Sequence, residues 1–117
     1  METLFDAELR LMKLVWEREP VSARELALLA AEGFGWNKNT TYTVIKRLVE
    51  KGALRREEPG FICSSLLKKA DAQAAETKTL IDKLFDGSKS AFFAAFADEK
   101  LSKDEVDTLK ALIEKGS

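Results

Sequence analysis

The sequence predicts a mainly α chain with one small β-hairpin: an N-terminal winged helix-turn-helix over residues 1–67 and a C-terminal helical dimerisation region over 68–117. Three observations predict it. Amphipathic segments of helical period alternate with breaks at Pro20, Gly33 and Gly52. Within WNKNTTYTVIKRLVEKGALRR, Trp36 to Arg56, an apolar stripe at helical spacing runs into a glycine stop and then a strand carrying paired arginines. Beyond Leu66 the chain turns alanine-rich and then aromatic, with more apolar surface than some fifty residues hide on their own.

The first helix is expected over Asp6 to Glu19, where Leu9, Met12, Val15 and Trp16 repeat at the helical period and Pro20 stops the run. Ser22-Ala23-Arg24-Glu25 has the spacing of a capping box and opens a second helix, with Leu26, Leu29 and Ala30 on one face. That helix is expected to end near Gly33. The loop Gly33-Phe34-Gly35-Trp36 then turns the chain into the third helix, with Trp36 plugging the core beneath the turn.

In the third helix, Thr41, Val44, Ile45 and Leu48 fall at i, i+3, i+4 and i+7, so one side faces a core. The other side carries Asn39, Tyr42, Thr43, Lys46 and, at its flank, Arg47. Amides, hydroxyls and cations in that mixture suit base edges and phosphates. Thr40 is expected to help cap the helix start, where hydroxyls satisfy free amides. Gly52 ends the helix, because glycine takes the left-handed conformation cheaply. Ala53 to Glu57 and Phe61 to Ser64 flank the turn residues Glu58-Pro59-Gly60, giving a hairpin wing whose Leu54 and Ile62 are expected to lean on the helices. Cys63 reads as a small strand residue.

The remainder is expected to hold three helices. A long one draws its apolar line through Leu66, Ala70, Ala74, Thr77, Leu80, Ile81 and Leu84, and Gly87 closes it. A short one, Ser90 to Ala97, carries Phe92, Phe93 and Phe96. The last starts at the capping box Ser102-Lys103-Asp104-Glu105 and buries Val106, Leu109, Leu112 and Ile113. A second copy of the chain, docked on a two-fold axis, would cover the surplus apolar surface. The sequence therefore predicts a homodimer held through residues 70–117, with Leu80, Leu84, Phe92, Phe93, Phe96, Leu109, Leu112 and Ile113 as its contacts.

Composition bounds the function. The 117 residues carry a formal net charge of −1, so whole-chain electrostatics do not announce a nucleic-acid partner. Local charge does: Lys38, Lys46, Arg47, Lys51, Arg55 and Arg56 are opposed by Glu50 alone between Trp36 and Arg56. The predicted DNA contacts are Lys38, Asn39, Thr40, Tyr42, Thr43, Lys46, Arg47, Arg55 and Arg56. With no histidine and a single cysteine, neither a zinc site nor an internal disulfide is expected, and no cofactor is implied. No acid-base pair, nucleophile constellation or glycine-rich phosphate loop is present, so catalysis is not expected. METLFDAELR has no cationic start followed by an apolar run, and no stretch approaches the ~18 apolar residues of a membrane helix, so a cytoplasmic protein without membrane insertion is expected.

Several segments together resemble the penicillinase-repressor family of winged-helix regulators, the BlaI/MecI/CopY type. Leu4 to Trp16, LFDAELRLMKLVW, is similar to its first-helix signature, in which a glutamate precedes an apolar run ending in tryptophan. Val21 to Leu26 looks like its second-helix opening. Thr40, Thr43, Arg47, Leu48, Lys51 and Gly52 match its recognition-helix pattern, and Gly87 to Leu101 with the final helix looks like its dimerisation region. The resemblance covers nearly the whole chain. It implies a dimeric transcriptional repressor that binds an inverted-repeat operator in double-stranded DNA and controls β-lactamase or other antibiotic and stress response genes. It also implies a membrane sensor protease, triggered by a cell-wall antibiotic, that releases the repressor. The Asn-Phe pair at which antibiotic-responsive members are cut is not matched in Phe92-Phe93-Ala94-Ala95-Phe96, and the C-terminal cysteine cluster of copper-responsive members is absent. The wing tip also departs, with Glu57 and Glu58 near positions the family often makes basic. The rival reading from the sequence is a winged-helix protein-interaction module without sequence-specific DNA binding, which a gel shift on the chain's own upstream DNA separates.

Overall fold

The computed structural model describes residues 4–95 and 101–115 and divides the chain into two compact units, Met1–Lys69 and Ala70–Ser117. The first holds α1 (Asp6–Arg18), β1 (Val21–Ser22), α2 (Ala23–Phe34), α3 (Lys38–Glu50), β2 (Leu54–Glu57) and β3 (Ile62–Ser65). Then follow α4 (Lys69–Leu84), α5 (Lys89–Ala95) and α6 (Lys103–Lys115). The chain is thus mainly helical with a small antiparallel sheet, the winged-helix arrangement with a helical region after it.

The starts of α2 and α3 have local causes. Ser22 Oγ accepts from the Glu25 N–H at 3.0 Å, the serine half of the expected capping box. Asn37 Oδ1 caps α3 by accepting from Thr40 N–H at 2.8 Å and Thr40 Oγ1 at 3.0 Å. The cap is therefore Asn37, and Thr40 is its client rather than the capping residue itself. The stop of α2 also differs from expectation. Gly33 lies inside the helix, and Gly35, with φ of 71°, takes the left-handed position that ends it. Gly52, φ 77°, serves α3 as predicted, and its N–H donates to Val49 O at 3.0 Å.

The first core gathers Leu11, Met12 and Val15 from α1, Leu26 from α2, Val44, Ile45 and Leu48 from α3, and Leu54 and Cys63 from the hairpin. Each of the larger side chains fully removed from water contributes about 1.5–3 kcal/mol of hydrophobic stabilisation. Thr41, Val44, Ile45 and Leu48 are all buried, as their spacing predicts. On α1 the buried line is Glu8, Leu11, Met12 and Val15, with Leu9 and Trp16 packed at its margin. Trp16 is fixed there by its indole N–H, which donates to Leu67 O at 3.0 Å. Trp36 is half-buried at the core's edge, 5.1 Å from the Phe34 ring.

The wing has a third strand that the sequence reading lacks. Sheet order is β1-β3-β2, with Val21 opposite Cys63 and Arg56 opposite Cys63 on the other side. β1 is two residues long, and it is pairing with β3 rather than any local propensity that makes it a strand. The inward phase of β3 also corrects the expectation. Cys63 is buried, whereas Ile62 points outward and stays 37% exposed, because successive strand residues face opposite sides. Burial pushes the Cys63 thiol above its ordinary pKa, opposed by the nearby positive charge of Arg56.

In the second unit, Ile81, Phe92 and Ile113 form a small core with Phe85, Phe93 and Leu109 packed on it. The Phe85 and Phe92 rings meet edge-on at 5.6 Å. Gly87, φ 81°, lies just beyond the end of α4 at Leu84, the helix it was expected to close. The α6 capping box is complete: Ser102 N–H donates to Glu105 Oε1 at 3.0 Å, and Glu105 N–H donates to Ser102 Oγ at 3.1 Å. Those bonds hold the Glu105 carboxyl below its ordinary pKa. The predicted apolar line of the long helix is only partly buried. Ala74 and Ile81 are inside and Thr77 is half-buried, while Leu66, Ala70, Leu80 and Leu84 remain exposed; Ala72, off that line, is buried as well.

Candidate nucleic-acid interface

The site is built outward from the buried side of α3. Because Thr41, Val44, Ile45 and Leu48 are fixed in the core, the helical period turns Lys38, Asn39, Thr40, Thr43, Lys46 and Arg47 to solvent, and all six are exposed. Tyr42 is half-buried, packed on the core margin, with the Lys38 ammonium 5.7 Å from its ring centroid. Among the described residues of α3, the sole acid is Glu50, at the far end.

Local hydrogen bonds set what these side chains offer. The Thr40 hydroxyl donates to Asn37, and the Thr43 hydroxyl donates to Asn39 O at 2.9 Å. With their protons so engaged, both present lone pairs outward, which fits the amino groups of adenine or cytosine in a major groove. Asn39 offers both a donor and an acceptor. Lys46 and Arg47 supply charge one to two turns further along.

The wing contributes two exposed arginines, each already partnered. Arg55 Nε meets Glu57 Oε1 at 3.0 Å, with both side chains more than half exposed, an ion pair worth little in water. Arg56 lies over the Phe61 ring at 4.9 Å. Neither contact is too strong to exchange for a phosphate. Lys51, counted among the local cations, lies elsewhere: its ammonium is turned inward onto Glu8 at 2.7 Å. Arg24, in the first turn of α2, is not among the predicted contacts. It is exposed and, with Lys38, borders a shallow depression of about 220 Å³ floored by Ala27, Leu28 and Ala31. A cation opposes the macrodipole at a helix start, and that was the available signal.

The predicted dimer contacts separate into three groups. Leu80 and Leu84 are 41% and 69% exposed, Phe92 and Ile113 sit inside the unit's own core, and Phe93, Leu109 and Leu112 are half-buried. Phe96 lies outside the described residues, as does Ala97 at the end of the predicted short helix. Among the described residues no helix is long and apolar enough to cross a membrane, and no group of three or more cysteines and acids is placed to hold a metal ion.

Comparison with known proteins matches the profile of the penicillinase repressor family over residues 4–115. The chain is 24% identical over 112 residues to the penicillinase repressor of Bacillus licheniformis, covering 93% of this chain and 88% of that protein. It is 28% identical over 112 residues to the methicillin resistance regulatory protein MecI of Mammaliicoccus sciuri, covering 93% and 91%. A penicillinase repressor of Staphylococcus aureus is 28% identical over 110 residues, covering 92% and 87%.

Proposed function

The chain belongs to the penicillinase repressor family of transcriptional repressors, and from that premise we propose that it acts as a homodimer on an inverted-repeat operator. Each subunit lays α3 in a major groove, with half-sites about 10 base pairs apart or a multiple of that. The observation that carries this reading is the two-sidedness of α3: Thr41, Val44, Ile45 and Leu48 buried, and Asn39, Thr40, Thr43, Lys46 and Arg47 exposed beside the wing.

Roles divide by chemistry. Asn39, Thr40 and Thr43 stand near the helix start and read base edges. Lys38, Lys46, Arg47, Arg55 and Arg56 neutralise phosphates and set register, and Tyr42 lays its ring toward sugar and its hydroxyl toward phosphate. Repression is occlusion: a dimer seated on the operator denies the promoter to polymerase. Residues 1–67 carry the DNA contact and 68–117 the dimer contact, through the exposed Leu80 and Leu84 and the half-buried Phe93, Leu109 and Leu112. The relatives named as penicillinase repressors and methicillin resistance regulators support antibiotic-response genes as targets. We propose a membrane sensor protease as the inducing partner on the strength of the same kinship.

The test is titration of the chain's upstream DNA in the presence of competitor DNA. A competition-resistant complex containing two subunits supports the reading. Binding no tighter to upstream DNA than to competitor refutes it.

A further inference from the structure

Lys51 belongs by sequence to the basic stretch that faces DNA, yet its charge is turned the other way. Its ammonium meets Glu8 Oε1 at 2.7 Å and stands 4.3 Å from the Phe5 ring. Glu8 is 1% exposed and Lys51 13%, so water screens neither partner well. The same Glu8 oxygen accepts the Phe5 N–H at 2.7 Å, closing the N-terminus of α1. Among the described residues, nothing hydrogen-bonds the other oxygen, Oε2, which is buried. Among the described residues, Lys51 is the cation that neutralises this carboxylate.

Lys51 is also the C-terminal cap of α3. Its N–H donates to Arg47 O at 2.9 Å, and the next two amides, Gly52 and Ala53, donate back to Val49 O and Leu48 O at 3.0 Å each. Ala53 O then accepts from Leu66 N–H and Leu67 N–H, at 2.9 and 3.1 Å, where the wing returns. One ion pair thus ties the start of α1 to the junction between α3 and the wing. We infer that Lys51 is a positioning residue for DNA binding: paired with Glu8, it fixes the angle at which α3 and the wing are presented, and it makes no phosphate contact itself. The inference rests on α3 being the DNA-contacting helix.

The experiment uses the full chain and three variants, Lys51→Met, Lys51→Arg and Glu8→Gln, with binding to upstream DNA measured across a salt series. Lys51→Met keeps the stem without the charge. It is expected to bind roughly tenfold more weakly, a size typical of substitutions that act through a packed element rather than through contact, with its salt slope unchanged. Lys51→Arg is expected to retain most of the wild-type affinity. Glu8→Gln keeps an acceptor for the Phe5 N–H and removes a negative charge, which simple electrostatics would turn into tighter binding. Positioning requires weaker binding instead. A fall in slope of about one unit per subunit in Lys51→Met, the signature of a lost phosphate contact, overturns the inference. So does Glu8→Gln binding as tightly as wild type or more so. If the wild-type chain ignores its upstream DNA, the functional reading fails, and amide hydrogen exchange of the free proteins still decides the structural claim. Lost protection at residues 48–54 in Lys51→Met and Glu8→Gln supports the tie, and unchanged protection refutes it.

Discussion

The Asn37 carboxamide oxygen accepts twice from Thr40, once from its backbone and once from its hydroxyl, at 2.8 and 3.0 Å. The residue that starts α3 thereby also orients the first hydroxyl on its outward face, so a capping residue shapes the proposed base-reading surface.

Replacing Asn37 by alanine leaves the Thr40 amide without its cap and is expected to cost about 1 kcal/mol of folding stability, the usual loss for a helix N-cap. Asn37→Asp keeps an acceptor and is expected to stay near wild type. Chemical denaturation of the two variants checks this. No loss in Asn37→Ala would mean that the cap contributes nothing.

Glu57 pairs with Arg55 on the wing at 3.0 Å and competes with phosphate for its charge. Glu57→Gln removes the carboxylate that phosphate must displace from Arg55, so operator affinity is expected to rise by a few-fold, and Arg55→Ala is expected to make the salt slope shallower by about 0.9 for the lost contact. Binding titrations at several salt concentrations read both numbers. An unchanged slope would place Arg55 away from DNA.

Leu80 and Leu84 stand exposed on α4 although both fall on its predicted apolar line. The double substitution Leu80→Asp, Leu84→Asp is expected to leave helix content intact and shift the sedimenting species from dimer to monomer, since buried unpaired charge is costly. A variant that still sediments as a dimer would move the interface elsewhere.

The Cys63 thiol, buried and raised in pKa, is favoured in its protonated form by folding. Its contribution to stability is fully present below the unfolded thiol pKa and is lost as pH rises through the folded one. Native protein is therefore expected to resist thiol reagents, and an alkaline loss of stability is expected to shrink in Cys63→Ala. Rapid labelling of the folded chain at neutral pH would contradict the burial.

Much of this was legible because helical periodicity is local. Thr41, Val44, Ile45 and Leu48 alone determine which side of α3 is buried, and the exposed polar side follows from them. The features that escaped depend on partners far along the chain. Val21–Ser22 is a strand because Ile62 and Cys63 lie beside it. The phase of β3 rests on which of two adjacent apolar residues the core accepts, and it accepts Cys63 over Ile62. Two glycines two residues apart left the end of α2 ambiguous, and backbone geometry chose Gly35. Glu8 and Lys51 are 43 positions apart, and each alone reads as a surface charge. Only folding reveals that they neutralise one another.

In the proposed complex the outward side of α3 meets duplex DNA, and the measurement closest to that contact is the salt dependence of operator binding for wild type and Lys46→Ala. Lys46→Ala is expected to bind more weakly, with a log-log salt slope shallower by about one unit per subunit. Unchanged affinity and slope in that variant would contradict it.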